Sequence, residues 1–180
     1  MWVTWVAAAR KGDHEAFKAL HGHFGKLVHA VIISRVPASD AADLVQDVFL
    51  LVFQKLSQLE DDAAFPGWLT QLARNRASRH QRDARDEQPL EDEPQQLVAP
   101  DRSAAPDARK ILKALHSLPE AYAETLAMRL IEGMTGPEIA ERTGLTPGSV
   151  RVNLHRGMAQ LREKLGLSAA SNKEALDDRE

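Results

Sequence analysis

The chain of 180 residues contains no cysteine. That excludes a disulfide framework, a thiol nucleophile and any cysteine-based zinc site. Aromatic residues make up only 5%, and no stretch approaches the roughly 18 consecutive apolar residues of a membrane span. The apolar start, Met1 to Lys11, is too short for a secretory leader, and its basic residues follow the apolar run instead of preceding it. These absences predict a cytoplasmic protein with no direct membrane insertion. Also missing are a glycine-rich phosphate loop, a nucleophile elbow and a convergent carboxylate pair. No catalytic residue is assigned, no small-molecule substrate is expected, and the chain does not read as an enzyme. His14, His21, His23 and His29 cluster in the sequence, but His21 and His23 fall on different helix faces and no i,i+4 histidine pair completes a site. Neither a metal nor a cofactor is expected.

What is present is a hydrophobic content of 43%, enough for packed cores, and an uneven charge distribution behind a net charge of −3. Counted by segment, residues 1–82 carry +2, 83–107 carry −6, 108–167 carry +3 and 168–180 carry −2. The acidity therefore lies between and after two mildly basic blocks. The central acidic segment also holds Pro89, Pro94, Pro100 and Pro106 and almost no large apolar residues. Such a segment buries too little surface to offset its ordering entropy and reads as a flexible linker. The expected organisation is two independent helical blocks, 1–82 and 108–167, an acidic linker over 83–107 and a disordered tail over 168–180.

The first block reads as helical throughout. Asp13 is a good N-cap, followed by Phe17, Leu20, Phe24, Leu27, Val28, Val31 and Ile32 at three- and four-residue spacing. Pro37 stops that helix and Ser39 or Asp40 starts the next, whose buried side is Leu44, Val45, Val48, Val52 and Leu56. A loop, SQLEDDAA, leads to a third helix with the stripe Phe65, Trp68, Leu69 and Leu72. No period-two alternation occurs, so no sheet is expected and the fold class is all-α.

Two helix faces stand out. On the second helix Asp40, Asp43, Gln46, Asp47 and Gln54 fall together opposite the apolar side. The helix macrodipole accounts for Asp40 and Asp43 but not for Asp47, two turns in. A solvated face and a partner-binding face both fit that pattern. On the third helix Gln71, Arg74, Asn75, Ser78, Arg82 and Arg85 oppose the apolar stripe, and no acid interrupts the run from Ala63 to Arg82. A basic, amide-bearing ridge suits phosphates and exposed bases.

In the second block, Thr135 and Glu138 form a capping box, Gly144 ends a short helix, and Thr146 with Pro147 starts another. Val150, Leu154, Leu161 and Leu165 make its buried stripe, while Gly148, Arg151, Val152, His155, Arg156 and Ala159 face away. A short helix, a tight turn with glycine and a basic-faced second helix describe a helix-turn-helix. A packing hairpin explains the leucines but leaves Val152 on the polar face without a use; a thymine methyl would supply one.

Read in order, GDHEAFKALHGHFGKLV, DAADLVQDVFLLVF and FPGWLTQLARNRA in the first block, and the stretch from Leu118 to Gly166 in the second, resemble the extracytoplasmic-function (ECF) sigma factors of the sigma-70 class. The resemblance covers most of residues 11–166. It implies two small helical domains, the second a helix-turn-helix, that bind core RNA polymerase and promoter DNA and direct transcription initiation. It implies polymerase docking through Asp40, Asp43, Gln46 and Asp47. It implies capture of a flipped base of the −10 element by the loop carrying Ser57, Gln58, Asp61 and Asp62, with Gln71, Arg74, Asn75, Ser78 and Arg82 along the same DNA. The −35 element would meet Gly148, Ser149, Arg151, Val152, His155 and Arg156. An anti-sigma partner, which many members have, is implied as well. Arg79, Val152, Asn153 and Met158 depart from the residues usual in the family. The alternative is a helix-turn-helix regulator that is not a polymerase subunit.

Overall fold

In a computed structural model, residues 1–86 and 106–167 are described. Of the expected linker, 83–107, residues 83–86 and 106–107 are helical instead, while 87–105 and the tail, 168–180, lie outside the described residues. Eight α-helices and two 3-10 turns make up the described residues, with no strand among them. The first block holds α1 (Trp2–Arg10), α2 (His14–Ile33), α3 (Ala38–Lys55) and α4 (Phe65–Asp86). The 3-10 turns Leu56–Gln58 and Asp62–Ala64 lie between α3 and α4. The second block holds α5 (Pro106–His116), α6 (Glu120–Leu130), α7 (Gly136–Thr143) and α8 (Pro147–Lys164).

Local chemistry sets most of these boundaries. Asp13 Oδ1 accepts from the backbone N–H of Glu15 and Ala16 at 2.9 and 3.0 Å, so α2 starts where two otherwise orphaned donors are satisfied. Thr135 and Glu138 close a reciprocal capping box on α7. Gly144 ends that helix at φ 74°, a left-handed conformation that costs a residue with a side chain about 1–2 kcal/mol. Thr146 then caps α8 by accepting from Ser149 N–H at 3.1 Å.

The apolar start of the chain is a helix in its own right, which the sequence reading above leaves as an unassigned stretch. Val6 is fully buried, Trp2 sits edge-on to Phe24 with ring centroids 5.9 Å apart, and Trp5 does the same to His23 at 5.8 Å. Phe24 also meets Phe65 at 5.1 Å. The core of the first block is thus aromatic at its centre despite the low aromatic content, and edge-to-face contacts of this kind add to area burial.

The helix-turn-helix is mounted on α6, which crosses α8 closely. A Cβ added at Gly157 would lie 3.1 Å from both Leu126 Cδ1 and Tyr122 Cβ. A side chain there would be tighter than ordinary van der Waals contact, and because Tyr122 Cβ is fixed to its backbone, α6 and α8 would have to part by a few tenths of an ångström.

The two blocks are not independent bodies in this structure. One continuous apolar cluster runs from Leu27, Val28 and Ile32 of α2 to Leu126, Ala127 and Ile139 of the second block. The physical reason lies in α2 itself. Its C-terminal half buries Leu27, Val28, Ala30, Val31, Ile32 and Ile33, more than one helical face holds. A helix apolar nearly all round needs neighbours on several sides, and α1, α3, α4 and α6 supply them.

Two histidines sit at this junction. His116 Nε2 donates to the Ile33 carbonyl oxygen at 2.8 Å, while its Nδ1 is buried without a protein partner. Burial lowers its pKa from the ordinary 6.5, partly opposed by that backbone bond. His23, against α7, is also lowered, first by burial and then by Arg142. A lowered histidine pKa means that the unfolded chain binds the proton more readily than the folded one. Stability contributed by the neutral rings is therefore present above pH 6.5 and lost as the pH falls below it. Thermal melts followed by circular dichroism should show the midpoint dropping as buffer is taken from neutral to mildly acid. His116→Gln should flatten that slope; an unchanged slope would contradict this origin.

Candidate functional site

The acidic face of α3 is divided. Asp47 accepts two bonds from Arg76 of α4, at 2.6 and 3.0 Å, and Asp40 pairs with His80 at 2.8 Å. The helix pattern alone makes these acids look uncompensated; their partners come from across the α3–α4 contact. Asp43 and Gln46 are exposed. Leu50 and Phe53, absent from the sequence-derived site, continue their line along α3 at seven-residue offsets and are 60% and 57% exposed. Large apolar side chains left in water beside acid and amide groups are the mixture that protein-binding surfaces offer.

The loop between α3 and α4 is held in shape. Ser57, Gln58 and Asp61 are exposed, and Asp61 Oδ1 accepts from Ala63 N–H at 2.9 Å. Asp62 is tied to Arg10 of α1 by an ion pair at 3.2 Å, and Arg10 also donates to the Leu59 carbonyl oxygen at 2.5 Å. Arg10 is a site-shaping residue that sequence reasoning misses, since it lies about fifty positions away. Only its place at the end of an apolar, amphipathic start could have pointed to it.

Along α4, Gln71 donates to Asn75 Oδ1 at 2.9 Å, one turn apart on the exposed ridge. Ser78, Arg82 and Arg85 follow on the same side. With Asn75 and Gln81 they line an open, polar cleft of about 400 Å³. Such a cleft offers donors to phosphate oxygens and room for an unstacked base. Arg74 departs from the expected free ridge. Its guanidinium is paired bidentately with Glu124 of α6 at 2.8 Å, and that bond is the main reason its pKa is raised. Arg79, at a position where the resemblance departs from the usual residue, is exposed beside Asp83.

On α8, Arg151, Val152, His155 and Arg156 are exposed on one side, and Val152 is 45% exposed. Gly148 and Ser149 lie in the first turn, where the Ser149 hydroxyl shares a hydrogen bond with Thr146 Oγ1 at 2.9 Å. Asn153 faces inward and donates to Thr125 of α6 at 3.4 Å, so it braces the helix instead of joining the outward face. The last turn of α8 adds Arg162 and Lys164. Among the described residues no three His, Asp or Glu side chains converge on a metal-sized site, and no helix is long and apolar enough to cross a membrane.

The model for sigma-70 region 2 matches residues 20–87, and that for sigma-70 region 4 matches residues 108–161. The RNA polymerase sigma factor CarQ of Myxococcus xanthus is 33% identical over 167 residues, covering 87% of this chain and 93% of that protein. The ECF RNA polymerase sigma-E factor of Escherichia coli (strain K12) is 25% identical over 175 residues, covering 89% and 92%. Among solved structures, CnrH in complex with the cytosolic domain of CnrY aligns with a TM-score of 0.57 at 26% identity, over 93% of this chain and 98% of that one. With both sigma regions in order and a full-length relative at this identity, the chain belongs to the sigma-70 family as an ECF sigma factor, a subunit that binds core RNA polymerase and directs initiation at promoters.

Proposed function

We propose that the sigma activity divides among three surfaces of this chain. The α3 stripe of Asp43 and Gln46, extended by Leu50 and Phe53, docks on core polymerase, with Asp40 and Asp47 at its edge. The α3–α4 loop and the α4 ridge, from Ser57, Gln58, Asp61 and Asp62 through Gln71, Arg74, Asn75, Ser78 and Arg82, take the opened −10 element. The outward face of α8 reads the −35 element through Gly148, Ser149, Arg151, Val152, His155 and Arg156. Residues 1–82 and 108–167 form the two functional units. The subunit performs no bond-making chemistry of its own and works in the cytoplasm, where its polymerase is. An anti-sigma partner that covers the α3 stripe is part of the same reading; the similar CnrH was solved in complex with the cytosolic domain of CnrY.

The observation that carries this reading is the placement of a mixed acidic and apolar stripe on α3 and a basic, amide-bearing ridge on α4. A protein-binding face and a nucleic-acid face then stand on adjacent helices of one rigid block, which is what coupling polymerase docking to strand capture requires. Run-off transcription with purified core polymerase and a random promoter library tests it. The expected result is transcription that depends on this chain and enriches two spaced sequence elements. Specific DNA binding by the chain alone, with no transcript above core polymerase, would favour the helix-turn-helix regulator instead.

A further inference from the structure

Glu124 is a carboxylate in the middle of the apolar helix α6, and its side chain is only 6% exposed. Two guanidiniums of the first block close on it. Arg74 binds it through Nε and Nη2, both at 2.8 Å, and Arg35 Nη2 donates to Oε1 at 2.7 Å. Glu120, one turn earlier on the same edge, adds contacts to Arg35 at 2.9 Å and to Arg74 at 2.8 Å. The Nε and Nη2 edge of Arg74, the fork that would clasp a phosphate, is fully taken. Glu132 reinforces the contact from beyond the end of α6: its carboxylate meets His29, and its carbonyl oxygen accepts from Lys26 Nζ at 3.2 Å.

The geometry points to a second binding surface in this chain, the acidic edge of α6 formed by Glu120 and Glu124, which occupies Arg74 in place of nucleic-acid phosphate and keeps the free molecule closed. This rests on the reading of the α4 ridge as a DNA contact. Two carboxylates offered to one arginine fork supply the charge and the paired acceptors of a phosphate. The rest of the ridge, around Asn75, Ser78, Arg82 and Arg85, stays open, so the competition is centred on Arg74. Separation of α6 from α4 frees it.

The test uses the full-length protein and a fluorescently labelled random-sequence single-stranded DNA oligonucleotide, read by anisotropy. If the closed form holds about nine molecules in ten, opening it raises the apparent affinity about tenfold. Glu120→Gln with Glu124→Gln should give that rise. Glu15→Gln with Asp107→Asn changes net charge equally at exposed positions and should give less than about a twofold rise. Adding Arg74→Ala to the glutamine pair should remove the gain. Arg35→Gln, which leaves both glutamates facing a single guanidinium, should also raise affinity although it deletes a cation.

A second measurement reports closure without DNA. The chain has no native cysteine, so Ser39→Cys and Ser117→Cys, both exposed and one in each block, accept spin labels specifically. One short distance is expected in the parent and a broad, longer distribution in the glutamine pair. A broad distribution in the parent, or a short one retained in the glutamine pair, overturns the latch. Opening with no gain in DNA affinity overturns the assignment of Arg74 to DNA, and with it the competition.

Discussion

Asp43→Arg combined with Gln46→Arg is expected to abolish co-purification with core RNA polymerase, a loss of roughly a hundredfold or more in affinity. Both side chains are exposed on α3 and neither belongs to the core, so the fold should be retained and helicity unchanged. An acid, an amide and two exposed apolar side chains make a stripe complementary to a basic, partly apolar partner. Placing two cations there sets like charges against each other, which costs several kcal/mol. Asp47 is the poorer choice for this experiment. Its carboxylate already receives two bonds from Arg76, and Asp47→Arg would put two guanidiniums together and disturb the α3–α4 contact. Leu50→Ser should weaken binding as well, because it removes apolar area from the same stripe. Full retention of binding by the double variant, measured by anisotropy with labelled core polymerase at physiological salt, would remove α3 as the docking face.

The second large effect is expected on α8. Arg151→Ala with Val152→Ser should cost about 1–3 kcal/mol on the preferred upstream element, some ten- to hundredfold, and relax base preference there. Arg151 lies near the helix N-terminus, the end that reaches base edges in a helix-turn-helix, and Val152 beside it presents a methyl surface suited to thymine. Arg156, a turn further on, is expected to meet the phosphate backbone. Arg156→Ala should weaken all sequences alike and lower the salt slope by about one charge. Selection from a promoter library with holoenzyme separates the two kinds of effect. An unchanged ranking of upstream sequences for the Arg151 and Val152 variant would show that α8 does not read bases.

Sequence alone determines whatever is settled within a turn or two of helix. Asp13, the Thr135 and Glu138 box, Gly144 and Thr146 act on backbone groups at most four residues away, and each stands in the structure where its local chemistry requires. The outward face of α8 is legible for the same reason, because helical periodicity fixes which side chains share a side. Tertiary structure decides what distant residues do to one another. Arg76 neutralises Asp47 from 29 positions away, Arg10 braces Asp62 from 52, and Glu124 takes Arg74 from 50. Nothing local to α3 or α4 predicts these pairs, because an ion pair depends on distance in space and not on the pattern of either helix. The excess of apolar residues on α2 carries a trace of the closed arrangement: a helix needing neighbours on several sides implies more than one packed layer. Which helix fills the last side, and that it brings Glu124 to Arg74, follows only from the packing.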